Sequence, residues 1–142
     1  MKILALDIGD KWIGSAISDG LGITCRPYKT VTPKELCDFL EKVLPEESIG
    51  KVVVGNPTTF SGGQSEQTKK TVKIKEDLEK QFPTIYGQKI EWILWDERLS
   101  SKRADSTKKK KIPSKEAKLQ SHSVAAAFIL QSYLDSLAFQ KL

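Results

Sequence analysis

Several residue types are scarce in this chain, and each scarcity removes a class of protein. There are two cysteines, Cys25 and Cys37, in no CxxC spacing, and one histidine, His122. Such a set cannot build a four-ligand zinc site, so reduced, packed thiols are expected. No apolar run approaches membrane-spanning length, and the N-terminus lacks the basic region, apolar core and small-residue cleavage site of a signal peptide. A cytoplasmic protein without a membrane partner is therefore expected. Internal repeats and linkers are missing too, and residues 1–142 are read as one domain, long enough to bury a core. Apolar residues make up 39% of the sequence, which sets the chain apart from disordered polymers.

Charge is present but unevenly spread. Between Ser101 and Lys118 eight basic residues (Lys102, Arg103, Lys108, Lys109, Lys110, Lys111, Lys115 and Lys118) face Asp105 and Glu116. This stretch carries +6 of a net +5 and leaves the remainder at −1. Two readings stand: a contact for an anionic polymer, favoured by counterion release from a phosphate backbone, or a solvated loop.

The chain opens in strand fashion. "KILALDI" is a short apolar run, a Gly-Asp turn follows, and "KWIGSAIS" alternates as the second arm of a hairpin. "GITCRPYKTV" supplies a third strand, in which Pro27 requires an edge position or a bulge. The period then changes. Thr32-Pro33-Lys34-Glu35 is a capping box, and Leu36, Phe39, Leu40, Val43 and Leu44 form the stripe of a helix whose end is marked by Pro45 and Gly50. "KVVVGN" and "KIEWILW" have the compact apolar character of strands covered on both faces. Between them the "NPTTFSGGQS" loop leads to a helix with Thr71, Ile74, Leu78 and Phe82 on one face. A last helix is expected from about Ser114 to Phe139. The order is β-β-β-α-β-α-β-α.

Acids at strand ends are the candidates for chemistry. Asp7 lies among Leu4, Leu6 and Ile8, where burial is expected, and a buried carboxylate requires a partner or a metal; an Asp before Gly is also an ordinary turn former. Glu97 lies at the end of "KIEWILW", with Asp96 on the opposite face of the pleat. If the first strand is central and pairs with "KVVVGN", Asp7 and Glu97 converge on one divalent cation. Gly9 and Gly14 allow close backbone approach, and the loop carrying Asn56, Thr58 and Thr59 offers hydroxyl and N–H groups to a phosphodiester. Arg98 is read either as a bidentate phosphate clamp or as the salt-bridge partner of a surface acid such as Asp96.

The blocks "LALDIGDKWIGSAISD", "VVVGNPTTFSG", "WDERLSS" and "SHSVAAAFILQSYLD" resemble, in order and over essentially the whole chain, those of the YqgF family. These are ribonuclease H-like proteins described as Holliday-junction-resolvase homologues and as nucleases maturing the 5′ end of pre-16S ribosomal RNA. The resemblance implies an α/β ribonuclease H-like fold: a five-stranded mixed sheet, three antiparallel strands and then two parallel, with helices on both faces. It also implies phosphodiester hydrolysis dependent on Mg²⁺ or Mn²⁺, with Asp7 and Glu97 as metal ligands. The expected partner is nucleic acid, either pre-rRNA, including ribosomal precursor particles, or branched DNA. Lys11 matches a family lysine and, with Arg98, Lys102, Arg103 and Lys108 to Lys111, is expected to touch nucleic acid. Trp12 stands where the family has arginine, either to stack on a base or to cover the sheet.

His122 is the sharper departure, because it aligns with the family's third metal-binding acid. Imidazole suits Mn²⁺ better than Mg²⁺, which prefers oxygen donors. Two readings follow: His122 is a ligand or substrate contact in the catalytic cleft, or the chain is a nucleic-acid-binding member weakened in catalysis. Asp135, thirteen residues on and so about 20 Å along a helix, cannot reach the same ion. Glu116 is a poor substitute, and Asp10 is expected to face solvent. The opening block also looks like the phosphate-gripping hairpin of actin-like sugar kinases, which need two such domains where this chain has room for one.

Overall fold

The computed structural model describes residues 1–56, 66–96 and 115–140. Strands β1 (Lys2–Ile8), β2 (Ile13–Ser18) and β3 (Cys25–Val31) form an antiparallel meander. They are followed by α1 (Leu36–Glu46), β4 (Ile49–Asn56), α2 (Glu66–Gln81), the short β5 (Thr84–Ile85) and β6 (Gln88–Lys89), β7 (Glu91–Asp96), and α3 (Lys115–Gln140). The main sheet has the order β3-β2-β1-β4-β7, with β4 parallel to β1 and β7 parallel to β4. This is the five-stranded mixed sheet expected, with β1 at its centre.

Strand alternation divides the core in two. Leu4, Leu6 and Ile8 of β1 join Val52 and Val54 of β4 in packing against Leu36, Leu40 and Leu44 of α1 and Leu78 of α2. On the other face Ile3, Ala5, Ala16 and Val53 meet Ala126, Ile129, Leu130, Tyr133 and Leu134 of α3. Ala5, Ala16 and Ala126 are all fully buried, so small side chains on both partners let α3 lie close to the sheet. One flank of α3 covers β4 and β7. There Tyr133 makes an edge-on contact with Trp95 (centroids 5.3 Å apart), the Trp95 indole donates to Ser132 Oγ at 3.2 Å, and Lys51 Nζ donates to the Tyr133 hydroxyl at 2.9 Å. The other flank covers β2 and β3, where the Cys25 thiol approaches the Ala127 carbonyl at 3.3 Å. Burial pushes this thiol up to about 11, with the Asp135 charge adding to the effect. Cys25 and Cys37 are both free thiols, as expected.

Pro27 meets both of its conditions. β3 is an edge strand, and its register with β2 breaks between the partners of Gly14 and Ala16. The Ser15 hydroxyl fills the gap in the ladder, accepting the Lys29 N–H at 3.0 Å and donating to the Lys29 carbonyl. At the capping box the Glu35 carboxylate accepts from the Thr32 N–H at 3.0 Å and the Thr32 hydroxyl at 2.8 Å.

Three expectations need correction. α1 runs through Pro45 to Glu46, and the left-handed residue that turns the chain is Ser48 (φ 54°), not Gly50. Gly50 lies inside β4, where a Cβ would come within 2.7 Å of the Met1 sulfur. Lys89, read as part of the last strand, instead pairs with Thr84 in a two-residue hairpin turned by Tyr86 and Gly87, both at positive φ. Finally, Asp7 is half-buried rather than buried. Among the described residues, no helix is long and apolar enough to cross a membrane.

Candidate active site

The site is assembled around Gly14. Asp7 of β1 pairs with Gly14 of β2, which pairs in turn with Thr30 of β3, making one row across the sheet. Ile3 and Ala5 belong to the α3-side core, and alternation puts Asp7 on the same face. Over this row lies the α3 backbone. A Cβ on Gly14 would overlap the carbonyl of His122 and stand 2.8 Å from the Ser123 N. Ser123 is then fixed sideways by a 2.6 Å hydroxyl contact with Thr30. Missing side-chain volume at position 14 thus seats the helix, and the Ser123–Thr30 contact sets its rotation.

That seating brings Asp7 and His122 to one corner. His122 precedes Ile129 and Tyr133 by seven and eleven residues, close to two and three whole turns at 3.6 residues per turn. It therefore shares the Tyr133 flank, which faces β4 and β7, while Ser123 looks toward β3. Asp7 lies on that same side of Gly14. Both side chains are half-buried, so they are reachable from solvent yet partly shielded from it, a setting in which electrostatic interactions are stronger than in bulk water. Among the described residues no three His, Cys, Asp or Glu side chains gather as a metal cluster, and Glu97, one residue beyond the end of β7, lies outside that set.

A profile of the family described as "RuvX: Holliday junction resolvase" matches residues 1–136. The chain belongs to the RuvX family. Curated relatives named "Putative pre-16S rRNA nuclease" include one from Sulfurihydrogenibium sp. (strain YO3AOP1), 39% identical with 97% of this chain and 92% of that protein covered. Another, from Caldicellulosiruptor bescii, is 36% identical with 95% and 96% covered. Among solved structures, fowlpox virus resolvase bound to its Holliday junction DNA substrate aligns with a TM-score of 0.55 at 19% identity, covering 96% of this chain and 99% of that one. Thermus thermophilus RuvC with its Holliday junction substrate gives 0.53 at 15% identity, covering 97% and 96%. The family expected from the sequence blocks and the ribonuclease H-like fold are both borne out.

Within this RuvX chain the expected site residues separate into three groups. The His122 backbone lies over Gly14, the ladder partner of Asp7. Lys11 is exposed in the β1–β2 turn, three residues after β1 ends, and Asn56 closes β4 with its side chain outside the described residues. Thr58, Thr59, Glu97, Arg98, Lys102, Arg103, Lys108, Lys109, Lys110 and Lys111 lie outside the described residues. Asp10 faces solvent as expected, its carboxylate 3.9 Å from Lys70 Nζ, and Asp135 is exposed and accepts from the Gln131 amide at 2.9 Å. The close backbone approach expected at Gly9 and Gly14 is made by the chain's own backbone. Gly9 donates its N–H to the Trp12 carbonyl at 3.0 Å, and a Cβ there would lie 2.8 Å from that oxygen; Gly14 receives α3. Thr30 and Ser123 were not singled out from the sequence. A Thr and a Ser ninety-three positions apart give no local pattern, and only the β2–β3 register joins them.

Proposed function

We propose that the chain is a metal-dependent nuclease of the cytoplasm that hydrolyses phosphodiester bonds in precursors of 16S ribosomal RNA, using Asp7, Glu97 and His122. The observation that carries this reading is the seating of the His122 carbonyl over Gly14, the ladder partner of Asp7. The names of the curated relatives favour RNA over branched DNA. Those relatives are 34 to 39% identical over nearly the full chain, whereas the structural neighbours that hold DNA share only the fold.

The donors at this corner suit a divalent cation: one carboxylate from the middle strand and one imidazole from the helix above it. Glu97, the residue that follows β7 in the sequence, would complete the set. Mixed oxygen and nitrogen donors suit Mn²⁺ better than Mg²⁺. A bound cation would supply Lewis acidity toward the phosphodiester and a water of lowered pKa. The remaining tasks fall to the protein. The Asp7 backbone is held by its pairing with Gly14 at the end of the central strand, which limits how far the residue must move to organise the site. His122 is held at its backbone by the Gly14 contact and next to Ser123, itself anchored to Thr30. Lys11, exposed at the rim, can neutralise a neighbouring phosphate of the substrate strand.

Replacing Asp7 with Asn tests the proposal. It keeps the shape of the side chain and removes its charge. Cleavage of a precursor-like RNA in Mn²⁺ should be abolished while binding of the same RNA, measured without metal, is retained. Loss of both would point to misfolding, which thermal denaturation of the variant detects. Undiminished cleavage by a folded variant would overturn the assignment of Asp7.

A further inference from the structure

Exposed lysines gather in the first half of α2. Lys69, Lys70 and Lys73 are exposed in its first half, while Glu76, Asp77 and Glu79 lie in its second. The helix-dipole effect acts only in the terminal turns, which carry Glu66 and Lys80, and Lys69, Lys70 and Lys73 lie between them. Lys69 and Lys73 are four residues apart, where like charges repel, while Lys73 also precedes Glu76 and Asp77 by three and four residues, where opposite charges attract. Hydrophobic packing does not require them, since Thr68, Thr71 and Leu78 make the buried face.

Their position is what gives them a use. β4 runs parallel to β1, so the end of β4, from which the chain leads on to α2, lies at the same edge of the sheet as Asp7. Lys70 confirms the proximity. Its Nζ is 3.9 Å from the carboxylate of Asp10, next to Lys11 in the turn that follows Asp7. Asp10 lies against Lys70, while Lys11, Lys69 and Lys73 are exposed toward the same edge of the sheet, the α2 lysines on the helix that packs on the face opposite Asp7.

We propose that Lys69 and Lys73, together with Lys11, form a track for the phosphate backbone of the RNA strand flanking the scissile bond. This rests on the nuclease reading above and extends the substrate contact to a surface outside the catalytic corner. The occupant is RNA because exposed lysines complement a phosphate backbone and the substrate proposed for the adjoining site is RNA. The contacts are to phosphates and carry no sequence preference.

The test is the salt dependence of binding. A fluorescein-labelled single-stranded RNA is titrated in EDTA at several salt concentrations with the wild-type protein and with the double variant Lys69→Gln/Lys73→Gln. Each phosphate contact to a single strand contributes about 0.7 to the slope of log K against log salt, so losing two should lower the slope by about 1.4. Lys69→Arg/Lys73→Arg should restore it, and Lys34→Gln/Lys42→Gln, at α1 and away from α2, should leave it unchanged. The thermal midpoint of the Gln variant should change little, because the Lys69–Lys73 repulsion and the attraction of Lys73 to Glu76 and Asp77 are removed together. An unchanged slope in a protein that still binds and cleaves RNA overturns the track and leaves the nuclease reading intact. A slope change seen only with DNA of the same sequence overturns RNA as its occupant. A wild-type protein that binds neither nucleic acid overturns the track and the nuclease reading together.

Discussion

A methyl group at position 14 has nowhere to go, because the His122 carbonyl and the Ser123 N already fill the space above Gly14. Gly14→Ala must lift the start of α3 or bend β2, and overpacking of this kind costs about 1–3 kcal/mol. Urea denaturation should show that loss. Cleavage should fall further than stability alone explains, since the lifted segment carries His122 away from Asp7; RNA affinity should change little. The same corner gives His122 a sharper test. An imidazole at the third acid's place predicts better turnover with Mn²⁺ than with Mg²⁺ in parallel assays of the wild-type protein. His122→Asp should then raise the Mg²⁺-dependent rate, and a gain of about tenfold would correspond to about 1.4 kcal/mol. A wild-type preference for Mg²⁺, or no response to the substitution, would show that position 122 does not govern the metal.

α3 depends on the sheet for its place, since its contacts with β1, β2 and β3 are what bring His122 over the first hairpin. Leu130 is fully buried on the sheet side of this helix, two turns beyond Ser123. Leu130→Ala should therefore destabilise the fold by about 2–5 kcal/mol, read from the urea midpoint, because the cavity it leaves is bounded by Ala5, Ala16 and Val53, which are too short to fill it. Elements of this kind were legible in the sequence. Seven-residue apolar strands and a capping box declare themselves locally, and Pro27 announced an edge strand that also bulges. The hairpin at 84–89 did not, since two-residue strands are too short to show alternation, and its turn depends on Tyr86 adopting positive φ, which an aromatic residue does not advertise. Ser48 hid the end of α1 for the same reason. For the site, the places of Asp7 on β1 and of His122 in the early turns of α3 were legible. What joins them was not, because the fit of Gly14 against a carbonyl more than a hundred positions away is a tertiary fact.

At the scale of the whole molecule the charge is divided between a body near neutrality and a short basic segment. A chain with +6 between Ser101 and Lys118 and −1 elsewhere presents an anionic polymer with one strongly attractive region. Steering of this kind raises the rate of encounter and falls steeply with ionic strength. The four consecutive lysines Lys108 to Lys111 are the densest part of it. Converting all four to Gln should lower the log K against log salt slope for a single-stranded RNA by about 3, taking about 0.7 for each phosphate neutralised. Turnover at saturating RNA should be unaffected, because uniform binding energy lost from ground state and transition state alike raises KM and leaves kcat in place. That pattern separates the segment from the Asp7 corner, where kcat carries the loss. A slope that does not move would mean that the lysines are solvated and serve solubility, the second of the two readings their sequence allowed. Binding would then have to be carried by the body itself, through Lys11 and the exposed lysines of α2.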